Sequence, residues 1–168
     1  DGSQDVWGDP VKVAGSFGDP PTISSAVAAA AGNMSSGPQA GDTVTITFTE
    51  ATNSPTITAS NVDTVFPVMD EWGAVCSWGS ISAAAWNTEG TELLITLGSD
   101  ATLEIDALLS ISGETITDSA GVDTAVAEDV SITGSFGGVP RMTVAEARDY
   151  SGNGPGVDEG DVVVIRFD

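Results

Sequence analysis

Histidine is absent from this chain, cations are nearly so, and cysteine occurs once. Without histidine there is no Ser–His or Cys–His nucleophile pair and no imidazole ligand for a metal. A lone Cys76 rules out a disulfide within the chain. Its neighbours Val75 and Trp78 point to a buried thiol acting as a small hydrophobe, with pairing to another molecule as the alternative. Lys12, Arg141, Arg148 and Arg166 are the only cations, set against 25 acidic residues, for a net charge of −21. Residues 13–140 hold no Lys or Arg at all. Salt bridges therefore cannot organise the middle of the chain, and its carboxylates must face water, cap backbone N–H groups or share metal ions. Such a surface excludes nucleic acid as a partner, because that binding rests on Lys and Arg neutralising phosphates. No stretch approaches the roughly 18 continuous apolar residues of a membrane helix. Nothing at the N-terminus has the pattern of a signal peptide, as expected for a segment of a larger protein.

What the chain does contain is a repeat. Gly15-Ser16-Phe17-Gly18 recurs as Gly134-Ser135-Phe136-Gly137, an offset of 119 (134 minus 15). The same shift lays Pro21 on Pro140, Ala26 on Ala145 and Ala28 on Ala147. It also lays Gly41-Asp42 on Gly160-Asp161, and Val44, Ile46 and Phe48 on Val163, Ile165 and Phe167. A period of this length is too long for a solenoid and suits a whole small domain. Residues 1–18 are therefore expected to be the closing strand of a preceding repeat, 19–137 a complete repeat, and 139–168 the first strands of a following one. The joints, Gly18-Asp19-Pro20-Pro21 and Gly137-Gly138-Val139-Pro140, are short and proline-stiffened. A strand-exchanging, self-standing subunit is the rival reading, since each end carries part of a domain of the same type.

Apolar residues make up 40% of the chain, enough to fill a core, and Gly, Pro, Thr, Ser, Val and Ile favour strands and turns. Strands are expected over 22–30, 43–49, 56–58, 79–86, 92–97 and 130–136, with a broken strand over 108–117 kinked at Gly113. Residues 43–49 are the clearest, with Val44, Ile46 and Phe48 inward and four threonines outward. A helical turn over 59–65, capped by Ser60 or Asn61, interrupts them. Short strands with turn signals every 8 to 15 residues predict an all-β fold, an Ig-like antiparallel β-sandwich.

Gly41-Asp42-Thr43-Val44-Thr45-Ile46-Thr47-Phe48-Thr49-Glu50, Ile57-Thr58-Ala59-Ser60-Asn61, Ala84-Ala85-Trp86, Leu93 to Leu97, Ile111 to Gly121 and Val130 to Phe136 together resemble bacterial-type Ig-like repeats. Such repeats occur in tandem in very large surface proteins of bacteria and algae, including adhesins and the protein of algal flagellar hairs (mastigonemes). The resemblance implies an extracellular structural role, as spacer or assembly module, with neighbouring copies of the repeat and other filament chains as partners. It brings no catalytic residues with it.

The candidate sites are few. Carboxylate pairs such as Asp70-Glu71 and Glu104 with Asp106 have the chemistry to hydrolyse a glycosidic bond, but a chain this acidic produces such pairs by accident, and no enzyme activity is expected. Asp19, Glu50, Asp118 and Asp123 fall in loops expected at the pole facing the preceding repeat, where Ca²⁺ would find carboxylate oxygens. Turn-capping is the plainer role of Asp118 and Asp123. Trp72, Trp78 and Trp86 form the aromatic concentration, read as core residues, or as a platform for carbohydrate or for a neighbouring chain. Asn33-Met34-Ser35 is an N-glycosylation sequon in an expected surface loop.

Overall fold

The computed structural model describes residues 18–32, 36–137, 142–148 and 161–167. Its elements are β1 (Ile23–Ala29), β2 (Thr43–Phe48), α1 (Val62–Val65), β3 (Val68–Met69), β4 (Val75–Cys76), β5 (Ile81–Trp86), β6 (Glu92–Leu97), β7 (Leu108–Leu109), β8 (Val130–Ser135), β9 (Met142–Arg148) and β10 (Val162–Phe167). The first eight strands form one sheet in the order β4-β3-β7-β8-β1-β2-β6-β5. The sheet curls on itself. Val44, Ile46, Leu93 and Ile95 from one half share a single buried cluster with Val68, Leu109, Trp78 and Ile132 from the other. The result is sandwich-like and almost wholly β.

Alternation decides which face goes in. Val44, Ile46 and Phe48 of β2 are buried while Thr43, Thr45 and Thr47 are half-exposed, the period of two that a pleated strand with one wet face requires. β6 repeats the pattern with Leu93, Ile95 and Leu97 inward. One pairing departs from the antiparallel expectation. β1 runs parallel to β8, with Ala26, Val27, Ala28 and Ala29 opposite Ile132, Thr133, Gly134 and Ser135. The first and last strands close the seam between the two halves, and the 100 residues between Ala29 and Val130 (130 − 29 − 1) allow them to point the same way, as a parallel pair requires a long connection.

Two local expectations are corrected. Residues 56–58 form no strand, because the side chain of Asn61 organises them as a loop. Its Oδ1 accepts the Thr58 backbone N–H at 2.8 Å and its Nδ2 donates to the Thr56 carbonyl at 3.0 Å. For the same reason Asn61 stands at the N-cap of α1 without capping it through its side chain. The 108–117 segment contributes only β7 and an isolated bridge between Thr117 and Thr124.

β9 and β10 make a separate two-stranded antiparallel sheet, and its register reproduces that of β1 and β2. Ala28 faces Val44 and Ala26 faces Ile46 in the first hairpin; Ala147 faces Val163 and Ala145 faces Ile165 in the second. Both hairpins carry one extra residue on the first strand, at Ser24 and at Thr143. Every one of these positions differs by 119. The environments differ sharply, however. Val44 and Ile46 are fully buried, whereas Val163 is 66% and Ile165 50% exposed.

Candidate functional site

The loops carrying Asp19, Glu50, Asp118 and Asp123 do meet at one end of the sandwich. Thr52 bridges to Asp118, the Ser119 N–H donates to the Ala51 carbonyl at 3.0 Å, and the Val126 N–H donates to the Pro21 carbonyl at 3.1 Å. Their chemistry is local. Asp118 is buried, and its Oδ1 accepts the backbone N–H groups of Val122 at 2.7 Å and Asp123 at 3.3 Å, closing a turn in which Gly121 supplies the positive φ of 72°. Among the described residues no three carboxylates lie close enough together to hold a metal ion. One oxygen of Asp118 is already committed to the backbone. Ca²⁺ takes six to eight oxygens, more than Asp118 alone supplies.

The tryptophans occupy three different environments. Trp78 is fully buried, its Nε1 donating to the Phe66 carbonyl at 2.7 Å and its backbone N–H to Asp63 Oδ1 at 2.9 Å. Trp86 is half-buried at the end of β5, its ring 5.4 Å from that of Phe48 and its Nε1 donating to the Pro55 carbonyl at 2.8 Å. It borders a shallow groove with Thr45, Asn87, Glu92 and Leu94. Trp72 is 84% exposed and lies between β3 and β4, outside that groove. With Trp78 sealed in the core, the three do not form one platform. Trp78 precedes β5 and only Trp86 belongs to it, so no single strand carries both. Asn33 lies outside the described residues.

Burial pushes the Cys76 thiol up from its ordinary range, and the carboxylates of Glu104 and Asp70 act in the same direction. A thiol so placed stays protonated near neutral pH and is a poor nucleophile.

One functional-looking carboxylate has a role that its type alone does not reveal. Asp42 is fully buried, with Oδ1 accepting the Ala31 N–H and Oδ2 the Gln39 N–H, each at 2.8 Å. It ties the loop between β1 and β2 to the start of β2. The signal was its recurrence as Asp161 at the same offset. Asp42→Ala leaves two part-buried backbone N–H groups without their acceptor and is expected to cost about 2 kcal/mol, read as a lower urea midpoint with an unchanged slope.

No protein-family model and no curated protein matches this chain. Its fold is similar to parts of solved structures of bacterial surface-layer proteins. One is the crystal structure of the S-layer protein rSbsC(31-844), at 15% identity and a TM-score of 0.44, covering 73% of this chain and 14% of that one. Another is the N-terminal part of the bacterial S-layer protein SbsC, at 16% identity and a TM-score of 0.44, covering 73% of this chain and 25% of that one. The chain thus spans a quarter or less of the proteins it resembles.

Proposed function

We propose that this chain is a segment of a tandem array of Ig-like sandwiches in an extracellular filament or giant surface protein, serving as a structural spacer and carrying no catalytic activity. The observation that supports it is the second hairpin: β9 and β10 share the register and the extra residue of β1 and β2, yet expose the valine and isoleucine that β2 buries. An apolar face shaped like the start of the same domain is explained by a further repeat built on it. The strand order supports the Ig-like reading. β1-β2-β6-β5 on one side and β4-β3-β7-β8 on the other is the arrangement of an immunoglobulin-type sandwich.

Strand exchange between separate subunits is disfavoured by what the partial copies contain. Residues 139–168 correspond to 20–49 and residues 1–18 to 120–137. Neither supplies counterparts of β3 to β7, so two subunits trading ends would leave the second domain without half its core. The scattered tryptophans give a carbohydrate-binding module no common surface. Calcium belongs to this reading only at a joint, where a preceding repeat adds oxygens to those of Glu50 and Asp123.

The test is to append a second copy of residues 50–137 after residue 168, giving the hairpin the strands it is proposed to need. Amide exchange at Val163 and Ile165 should then slow to the level of Val44 and Ile46, and a second cooperative unfolding unit should appear. A hairpin that stays unprotected in this extended chain refutes the array. The denatured mass of the native polypeptide gives the complementary answer: many times 16.9 kDa for an array, and that mass itself for a subunit.

A further inference from the structure

Met69 stands opposite Val75 of β4 and opposite Leu108 of β7, so three apolar side chains line up on the outward face of these strands. All three are exposed, Val75 by 77%. Their inward neighbours Val68, Cys76 and Leu109 are in the core. Beside this row the turn between β3 and β4 holds up Trp72. Asp70 Oδ1 accepts the backbone N–H groups of Trp72 at 2.9 Å and Ala74 at 2.7 Å, while the Asp70 N–H donates to the Ala74 carbonyl. An exposed tryptophan on a turn braced in this way loses little freedom on binding, and tryptophan is enriched among residues that dominate interface energies. The rim is acidic: Glu71, Glu104 and Asp106 surround a recess of about 120 Å³ next to the apolar row. The partner that fits is apolar with basic side chains.

Among the described residues that chemistry recurs on the second hairpin. The face of the second hairpin that corresponds to the solvent-facing threonines of β2 departs from the repeat. Thr43, Thr45 and Thr47 become Val162, Val164 and Arg166, and on the adjoining strand Ser25 and Ala29 become Val144 and Arg148. The register sets Val144 opposite Arg166 and Val162 opposite Arg148. Arg148 carries an ion pair with Glu146 at 2.9 Å. The same shift turns Val27 into Glu146, which the register sets opposite Val164, so the face carries Val144, Val162 and Val164 with two cations and one carboxylate, whereas residues 13–140 contain no cation.

We propose that the Met69–Trp72–Val75–Leu108 face of one chain docks on the Val144–Val162–Arg166 face of a second copy, side by side. This contact uses the outward face of the hairpin and leaves Val163 and Ile165 for the following repeat, so it stands whether or not the array does. It joins two unlike surfaces, so association does not close at a dimer but continues from copy to copy.

Sedimentation velocity on the 168-residue chain in near-physiological salt tests it. The expected result is concentration-dependent association beyond the dimer, weakened about tenfold or more by Trp72→Ala and similarly by Arg166→Glu. Both are surface changes that leave the fold in place, which circular dichroism checks. A Glu104→Arg, Arg166→Glu double variant should recover part of the loss. A single monomeric species at millimolar concentration overturns the proposal. So does association indifferent to both single variants, or association abolished by Val163→Ser but not by Arg166→Glu, which would place the contact on the inward face.

Discussion

Gly134→Ala is expected to lower the stability of the central domain by more than about 3 kcal/mol, a large share of the 5–15 kcal/mol that holds a typical domain folded. Two costs combine. Gly134 has φ at +90°, a region where a side chain costs roughly 1–2 kcal/mol. In addition, a Cβ at this position would lie 2.2 Å from the Ala28 carbonyl oxygen, well inside van der Waals contact, against backbone that cannot turn aside. The strands must separate or shift where β1 and β8 pair. Gly121→Ala isolates the first cost, since Gly121 also has positive φ but no atom within 4 Å of the added carbon. Its midpoint should fall by only about 1 kcal/mol. Urea unfolding of the two variants side by side measures the difference. Equal effects would show that the seam yields and that the close approach is not a constraint.

The second large effect is expected at Trp78. Trp78→Ala removes the largest fully buried side chain in the domain and should cost about 3–5 kcal/mol, with the Phe66 carbonyl left without its indole donor. Trp78→Phe keeps much of the volume and loses the hydrogen bond, so about 1–3 kcal/mol is expected. Trp72→Ala should stay within about 0.5 kcal/mol of the parent, as an exposed substitution outside the core does. Denaturant midpoints rank the three. If Trp72→Ala proves as damaging as Trp78→Ala, the exposed turn is not the independent surface described above.

The residues that sequence reads well are those whose neighbours on the chain determine their fate. Val44, Ile46 and Phe48 alternate with threonines over a full strand, so their burial follows from the pleat. The 119-residue offset carried over to the pairing of Ala145 with Ile165, because equal side-chain patterns select equal registers. The residues it reads poorly depend on contacts far along the chain. Trp72 and Trp78 are six positions apart and equally aromatic, yet one is sealed in the core with its indole bonded to the Phe66 carbonyl and the other stands on a turn. Asn61 has the composition of a helix cap, and three residues upstream its side chain finds better use. The parallel pairing of β1 with β8 joins residues over a hundred positions apart, and neither strand advertises its partner's direction. The role of Asp118 was half legible: an Asp three residues before Gly121 reads as a turn former, and its carboxylate does accept the Val122 N–H.

The parallel seam has a mechanical consequence. The chain enters at the start of β1 and leaves at the end of β8, and because these strands point the same way, entry and exit lie at opposite poles. Tension applied along the polypeptide therefore pulls β1 and β8 past each other, lengthwise. Their hydrogen bonds share that load in shear and must break together, rather than opening one at a time as in a zipper. Forced unfolding is governed by the height of the unfolding barrier, so the Ala26–Ala29 and Ile132–Ser135 segments set the resistance of the whole bead. The glycine at the tightest point of this clamp lets the two backbones come close enough to hold.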